Sequence, residues 1–358
     1  MDQMNVSNIT LIVETMDNST ETGLNEMEMK ETDGFNKFVL ALYGIICVVG
    51  IIGNLLVAIV LLRVPSLRSN TSDFLVHLSI VDFMVCVLVI PTYLTPAGSK
   101  TPANPGGFAE FWCRFYTSKF LYWSFAITSV FSLITVNMER YVAIVYPHKY
   151  KKVFSRRNKY LMIAACWVLA AITKVYKPCL FEVDREKGCR SVPWPSKGAQ
   201  AAFGVYNFTV NFFAPFVLMG FAQWRVISSL NRQVKVLNRR ADSSVLNPRD
   251  QREMWQLRAA QTLVKTLLVC VISFVVCWAP NQVRFLLLNL GAPLQQGSHF
   301  QFISVILSVG NSCVNPVIYT LTNKPFRKGI RDVFCKKRDS NQVGNSTSGT
   351  VATVSQTL

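Results

Sequence analysis

The sequence predicts an all-α membrane protein: a seven-transmembrane helix bundle followed by a short amphipathic eighth helix. Hydrophobic residues make up 51% of the 358 residues and charged residues only 16%, and the mean hydropathy is +0.29. A water-soluble globule needs more polar surface than this composition supplies. The apolar residues also gather into runs of about 20, the length that a helix needs to cross a bilayer.

Seven apolar runs meet this requirement in chain order. They lie at residues 38–62, 74–97, 120–138, 160–173, 198–224 and 266–283 and within 285–323. The fourth run is short, so we expect its helix to recruit flanking residues. The seventh run is long enough to include a loop near residues 291–298.

The eighth helix is predicted over residues 324–335, where apolar side chains recur at helical spacing. These are Phe326, Ile330, Val333 and Phe334. One apolar face with charged neighbours is typical of a helix lying in the membrane interface. Cys335 at its end is a candidate for palmitoylation.

The distribution of charge predicts the orientation. Lys and Arg gather in three loops and after the seventh run, and such segments usually stay cytoplasmic. Residues 1–36 instead hold eight Asp and Glu against one Lys, with glycosylation acceptors at Asn5, Asn8 and Asn18. We therefore expect an extracellular glycosylated tail at 1–36, the bundle at 37–323 and a disordered cytoplasmic tail, rich in Ser and Thr, at 336–358. The location expected is the plasma membrane.

Several function classes are disfavoured by the same sequence. The net charge of +17 is spread between apolar runs, which argues against nucleic acid as a partner. Ten cysteines show no CxxC pair or metal-ligand spacing. No enzyme motif occurs at a meaningful spacing, and no inverted repeat supports the alternative of a membrane transporter.

Short motifs occupy the predicted spans in a particular order. They are Gly53–Asn54, Leu78 to Asp82, Glu139-Arg140-Tyr141, Trp167, Pro215, Cys277-Trp278-Ala279-Pro280 and Asn315-Pro316-Val317-Ile318-Tyr319. In this order they resemble the rhodopsin-like (class A) G-protein-coupled receptors over residues 38–335, and within them the neuropeptide receptors. The resemblance implies an extracellular ligand, a heterotrimeric G protein, and arrestin and receptor kinase acting through the Ser/Thr-rich tail.

Asp82 is an ionisable group inside an apolar helix, which makes it a candidate functional residue. Polar residues on the third and seventh spans supply further oxygens: Ser129, Asn311, Ser312 and Asn315. The resemblance implies that this set binds an allosteric Na⁺, with no other cofactor. The alternative is a polar cluster that only joins helices.

Arg140 lies at the predicted cytoplasmic end of the third span. From its chemistry alone it could be an interfacial anchor. The resemblance implies instead that it belongs to the switch that couples to the G protein. The residues implied are Glu139, Arg140, Tyr141, Asn315, Pro316 and Tyr319.

The ligand pocket implied by the resemblance combines aromatic and cationic groups. Its candidates are Lys119, Tyr122, Trp123, Trp278, Asn281, Gln282, Arg284, Phe285 and Gln301. Tyr122 stands where amine receptors carry an aspartate, which argues against an amine. Aromatic and cationic groups suit a peptide with aromatic and acidic or amidated parts. A non-peptide small molecule or a lipid is the alternative.

The oxidising exterior favours a disulfide from Cys113 to the loop between the fourth and fifth spans. That loop offers Cys179 and Cys189, and we favour Cys189 because it is nearer the middle of the loop.

Three features depart from the family pattern. Gln223 replaces the usual tyrosine, which puts a standard active-state contact in doubt. Arg140 follows Cys113 by about two residues more than usual, so we expect a distorted or longer extracellular end of the third span. No acid lies near Ala260 to face Arg140, and a less firmly held inactive state is therefore expected.

Overall fold

The computed structural model describes residues 6–68, 70–95, 106–184, 188–243, 247–295 and 297–334; side chains are described from residue 34, except those of 70 and 241–243. The helices within these ranges are α1 (Val6–Arg63), α2 (Asn70–Val89), α3 (Gly107–Phe111), α4 (Phe120–Val145), α5 (Pro147–Val153), α6 (Arg156–Lys174), α7 (Tyr176–Cys179), α8 (Lys197–Phe208), α9 (Ala214–Ser243), α10 (Pro248–Asn289), α11 (His299–Thr322) and α12 (Lys324–Phe334). Strands β1 (Phe181–Asp184) and β2 (Gly188–Ser191) form an antiparallel hairpin in which Phe181 pairs with Ser191.

The predicted seven spans are confirmed by seven helical segments that are long and apolar enough to cross a membrane. They are Gly34–Arg63, Thr71–Leu94, Gly107–Val145, Arg156–Cys179, Lys197–Arg240, Pro248–Asn289 and His299–Thr322. The expected loop after the sixth span lies between Asn289 and His299. The chain is therefore a multi-pass membrane protein.

Several helices extend beyond the predicted apolar runs, because hydropathy marks the lipid-facing stretch and not the whole helix. The third segment begins at Gly107, the fifth continues to Arg240 and the sixth begins at Pro248. A helix satisfies its own backbone hydrogen bonds, so it continues into water where polar side chains replace apolar ones. The backbone of α1 is likewise helical from Val6, through most of the predicted tail.

The third span, α4, is the central helix of the bundle. It packs against α2, α6 and α9, and its buried side chains include Tyr122, Ile127 and Val136. Large apolar residues such as Ile52, Ile172 and Trp224 are instead more than half exposed on the outside of the bundle. Such an apolar exterior suits contact with lipid chains rather than water.

The end of the third span that is predicted to be extracellular has the expected distortion. A π-helical segment (Trp112–Thr117) joins α3 to a turn, and α4 begins after Lys119, whose φ of 58° is left-handed. A π-helical turn and a left-handed residue accommodate extra residues without breaking the span. As a result, Lys119 Nζ lies 4.0 Å from the centre of the Tyr93 ring.

Two close contacts join segments of the bundle that are distant in sequence. At the extracellular end, Cys113 and Cys189 form the favoured disulfide with their Cα atoms 5.5 Å apart, and Cys179 is free and exposed. Within the membrane, a Cβ added to Gly53 would lie 2.8 Å from the Cβ of Pro316. Glycine at position 53 is therefore what lets α1 and α11 approach so closely.

The eighth helix, α12, turns Phe326 into the core and packs Ile330 and Val333 against it. Phe334, predicted on the same face, is 62% exposed, because it lies at the helix end beyond the packing of α1. Asn5, the Asn8 and Asn18 side chains, Cys335 and the tail 336–358 lie outside the described residues.

Candidate functional site

Asp82 lies at the centre of a buried polar cluster between α2, α4 and α11. Its Oδ1 accepts a hydrogen bond from Ser129 Oγ at 2.6 Å, and its Oδ2 accepts one from Asn315 Nδ2 at 2.9 Å. Ser312 also lies close enough to interact with the carboxylate. Because Asp82 is fully buried and no cation partner is described, the cluster has one formal negative charge among neutral donors. The structure thus brings together four of the five residues predicted for a sodium site.

The fifth residue, Asn311, is buried on α11, but no hydrogen bond joins it to Asp82 among the described residues. Asn54 extends the cluster to α1 instead, since its Nδ2 donates to the backbone oxygens of Gly50 and Ser312 at 2.9 and 2.8 Å. The Asn54 Oδ1 is buried without a hydrogen-bond partner. From the sequence, Asn54 was noted only as part of the Gly53–Asn54 pair, and its contact with Ser312 was not predicted.

A second buried carboxylate, Glu139, lies near the C-terminal end of α4, which is predicted to be cytoplasmic. It accepts two hydrogen bonds from Arg140, through Nε and Nη2, both at 2.6 Å. Thr71 Oγ1 donates to it at 2.9 Å and Tyr150 OH at 2.5 Å. The Glu139 carboxylate, which is 0% exposed, therefore accepts four hydrogen bonds, two from a charged guanidinium and two from neutral hydroxyl groups.

Arg140 also lines a cavity of about 390 Å³ that opens at the cytoplasmic end of the bundle. Ala260 and Leu263 of α10 and Tyr319 of α11 form the opposite wall. As expected, α10 supplies no acid there, so the only carboxylate paired with Arg140 in the described ranges is its neighbour Glu139.

The predicted switch residues therefore occupy separate places. Glu139 and Arg140 form the ion pair, Asn315 belongs to the Asp82 cluster, and Tyr319 lines the cytoplasmic cavity. Tyr141 turns away from both toward α9, with its ring centre 6.0 Å from that of Phe221. Pro316 is buried beside Gly53 and introduces no contact with Arg140 in the described structure.

Gln223 on α9, which replaces the tyrosine usual in the family, contacts α4 through its side-chain amide. Its Nε2 donates to Asn137 Oδ1 at 2.6 Å, and both side chains are buried. The Gln223 Oε1 has no hydrogen-bond partner. In this conformation the side chain at position 223 therefore links α9 to α4.

At the end predicted to be extracellular, aromatic rings from the second and third spans meet near Trp278 of the sixth. Tyr93 contacts Tyr122 at 5.4 Å between ring centres, Tyr122 contacts Trp123 at 5.1 Å, and Trp123 contacts Trp278 at 6.4 Å. Trp278 is 1% exposed and forms the floor of this group. These edge-to-face pairs fix the ring positions.

The polar residues predicted for the pocket lie on both sides of the aromatic group. Arg284 Nη2 donates to Gln301 Oε1 at 2.8 Å and to the Gln295 backbone oxygen at 3.3 Å, which braces the turn between α10 and α11. Phe285 contacts Phe203 of α8 at 6.3 Å between ring centres. Asn281 is partly exposed beside these residues.

Gln282 belongs to a hydrogen-bonded chain whose other members were not predicted from the sequence. Its Oε1 accepts from Asn207 Nδ2 at 3.1 Å, and Asn207 Oδ1 accepts from Lys174 Nζ at 3.1 Å. Lys177 lies nearby, with Nζ 5.7 Å from the centre of the Trp123 ring. The signal that could have found them is two lysines one turn apart at the extracellular end of an otherwise apolar span.

The bundle of seven spans, with an aromatic group near one end and a buried ion pair at the other, has the architecture of a seven-transmembrane receptor. Residues 53–319 match the family described as 7 transmembrane receptor (rhodopsin family), and this chain belongs to that family. Its members are receptors and not enzymes, as predicted.

Curated relatives agree with this assignment. The chain is 30% identical to galanin receptor type 1 of Mus musculus, over 84% of this chain and 82% of that receptor. It is 30% identical to a cholecystokinin receptor of Xenopus laevis, over 82% and 76%. It is 26% identical to octopamine receptor beta-2R of Chilo suppressalis, over 83% and 81%.

Proposed function

We propose that this protein is a plasma-membrane receptor with an extracellular N-terminus that binds a neuropeptide and activates a heterotrimeric G protein. The observation that carries the proposal is the arrangement of two sites on one helix. The outer half of α4 carries Tyr122 and Trp123 in the aromatic group, and its inner end carries the Glu139–Arg140 pair beside the cytoplasmic cavity. A ligand at the first can change the second through movement of the same bundle.

A peptide ligand is supported by the electrostatics of the outer half. The charged side chains around the aromatic group are Lys119, Lys174, Lys177 and Arg284. The carboxylates described at this end, Glu110, Glu182 and Asp184, are all paired with arginines of their own segments.

A small amine is the second candidate, because one of the relatives is an octopamine receptor. An ammonium ligand needs a carboxylate partner, and Tyr122 supplies only a buried phenol between Tyr93 and Trp123. The like charges of the surrounding lysines would repel such a ligand. The pocket therefore favours the peptide.

The Asp82 cluster supports an allosteric Na⁺ site. Its fixed charge and the hydroxyl and amide oxygens around it are of the type that hard cations prefer. Any cation there would contact α2, α4 and α11 at once. Its release during activation would then free these helices to rearrange. A transporter, the distant alternative, would use Asp82 for permeation, but a receptor family match leaves this without support.

A ligand screen tests the proposal. Cells expressing the full chain are exposed to a panel of secreted neuropeptides, including galanin, cholecystokinin and somatostatin peptides, and to octopamine as the amine arm. Calcium and cyclic-nucleotide reporters provide the readout. We expect at least one peptide to activate wild-type cells and not cells expressing Arg140→Ala at equal surface density. Activation by octopamine alone would overturn the peptide assignment.

The cytoplasmic partners are tested in the same cells. The Ser/Thr-rich tail, residues 336–358, is proposed as the substrate of a receptor kinase and the binding segment for arrestin. We expect agonist-dependent arrestin recruitment that is lost when the Ser and Thr of this tail are replaced by Ala, while the early G-protein response persists.

A further inference from the structure

A buried lysine near the outer pocket has an incomplete set of partners. Lys174, the last residue of α6, is 3% exposed, and its Nζ donates to Asn207 Oδ1 at 3.1 Å. Within the described ranges, no carboxylate oxygen lies within 4.0 Å of Nζ. A buried ammonium whose partner is a neutral amide is costly to keep in a folded protein.

Further positive charges lie on the same side of the pocket. Lys177 is close enough to Lys174 for the two charges to repel each other, and Lys119 acts on Lys177 in the same way. Lys177 Nζ lies 5.7 Å from the ring centres of both Trp123 and Tyr176, so aromatic faces stabilise it only in part. Lys174 and its neighbour Lys177 thus lie at an end of the bundle where the described carboxylates are already paired with arginines.

The position of Lys174 differs from that of an ordinary interfacial lysine. A lysine in the last turn of a span usually extends outward to the headgroups. Lys174 is turned inward to α8, and Asn207 is itself held by Gln282 at 3.1 Å and by Asn211 Nδ2 at 2.9 Å. These fixed amides hold the ammonium in place, and the Asn211 Oδ1 is buried without a hydrogen-bond partner. The site is therefore built into the fold.

Aromatic rings enclose the same region. The Phe203 ring centre lies 4.2 Å from that of Tyr176 and 4.9 Å from that of Trp194. An anion bound here would be held in an apolar surrounding where charge-assisted hydrogen bonds are strong. A carboxylate next to an aromatic group is the ligand chemistry that fits both features.

We propose that Lys174 and Lys177 bind a carboxylate of the extracellular ligand, with an aromatic group of that ligand between Trp123, Tyr176 and Phe203. This inference rests on the proposed function, because it assigns one part of the same ligand site. It predicts a peptide with a free terminal carboxylate or an acidic side chain beside an aromatic residue, and it disfavours a fully amidated, neutral one.

Lys174→Met in the purified full chain provides the first test. Methionine keeps the length of the side chain and removes its charge. If Lys174 is kept for binding, the thermal unfolding midpoint without ligand will equal or exceed that of the wild type. Lys197→Met, at an exposed lysine at the start of α8, is the matched control. A clear fall for Lys174→Met alone would show that the lysine holds the fold, and it would overturn the proposal.

Two small probes provide the second test, N-acetyl-L-phenylalanine and its neutral amide, added in a methanesulfonate buffer that contains neither chloride nor a carboxylate. We expect the carboxylate, and not the amide, to raise the unfolding midpoint of the wild type and of Lys197→Met. In Lys174→Met its apparent affinity should fall at least roughly tenfold, because a charge-assisted hydrogen bond is lost. Equal stabilisation by acid and amide, or an unchanged affinity in Lys174→Met, would count against the subsite.

Two further arms identify the source of the anion. Chloride added alone should not reproduce the stabilisation; if it does and also displaces the carboxylate, the occupant is an inorganic ion and the proposal is wrong. A variant with the eight acids of residues 1–36 neutralised should bind the probe as the wild type does. A tenfold gain would assign the site to the chain's own tail. All arms measure binding without a G protein, so they can fail while the receptor function stands.

Discussion

The two ends of the bundle differ in how many hydrogen bonds their buried charged group makes. At the cytoplasmic end, the Glu139 carboxylate accepts four hydrogen bonds from Arg140, Thr71 and Tyr150. At the extracellular end, the described partner of the Lys174 ammonium is one neutral amide. A charge whose bonding capacity is filled stabilises a single conformation, whereas one with capacity left is prepared to accept a ligand. The difference suggests that the inner charge holds the resting state and the outer one binds.

The largest expected effect on signalling comes from Arg140→Ala, which removes the cation that is paired with the Glu139 carboxylate. Arg140 lies on the wall of the cytoplasmic cavity, where its guanidinium could donate to backbone oxygens of a partner; Arg68, which also lines this cavity, already donates to the Leu62 backbone oxygen. We expect agonist-stimulated nucleotide exchange to fall at least roughly 100-fold, while agonist binding persists.

The measurement is exchange on a purified G protein, using membranes matched for receptor density. Arg156→Ala, at an exposed arginine at the start of α6, serves as the control and should retain activity. Unchanged potency of Arg140→Ala would identify Arg140 as an interfacial anchor.

Glu139→Gln tests whether the filled carboxylate holds the resting state. Glutamine keeps the volume but loses the charge and replaces one acceptor oxygen by an NH2 donor, so one hydrogen bond from Arg140 is lost and the other weakens. We expect basal nucleotide exchange without agonist to rise about tenfold, since hydrogen bonds to charged groups contribute about 1.5–3 kcal/mol. Glu110→Gln, which breaks a surface pair with Arg114, should leave basal exchange unchanged. A basal rate equal to the wild type would mean that other contacts maintain the resting state.

Asp82→Asn sharpens the comparison in the middle of the membrane, where the carboxylate has donors but no described counter-ion. Asparagine preserves the size and removes the formal charge that would bind Na⁺. We expect agonist affinity to lose its dependence on sodium, measured by replacing sodium with N-methylglucamine in competition binding. Asp73→Asn, a half-exposed acid on α2 paired with Lys159, is the control and should retain the sodium response. Equal sodium sensitivity in both variants would argue that the cluster only joins helices.

The smallest effect is expected from Gln223→Leu, because a neutral contact is lost. The substitution removes the 2.6 Å hydrogen bond to Asn137 but also the unpartnered Oε1. The two changes partly offset each other, so we expect a difference of about 1 kcal/mol or less and a rise in basal exchange below about fivefold. The same assay applies as for Glu139→Gln. An increase as large as that for Glu139→Gln would refute the view that the charged pair is the main restraint.

Much of the architecture could be read from the sequence because it follows from local rules. A bilayer requires apolar stretches of a certain length, and this fixed the number of spans. The same reasoning does not locate the ends of α9 and α10, where the helices continue beyond the apolar runs. It placed Asp82, Ser129 and Asn315 together correctly, because polar groups inside a bilayer must find one another.

The sequence by itself determined the spans, the acid in the second span and the cysteines available for the bridge. Only the tertiary structure decided which charges are satisfied. Glu139 draws its donors from positions 71, 140 and 150, and Lys174 meets an amide at position 207 on another span. Such partners are brought together by helix packing, and the rotation of each helix about its axis is set by contacts along its whole length. No local pattern encodes that rotation, so the inward turn of Lys174 toward Asn207 appears only once the bundle is assembled.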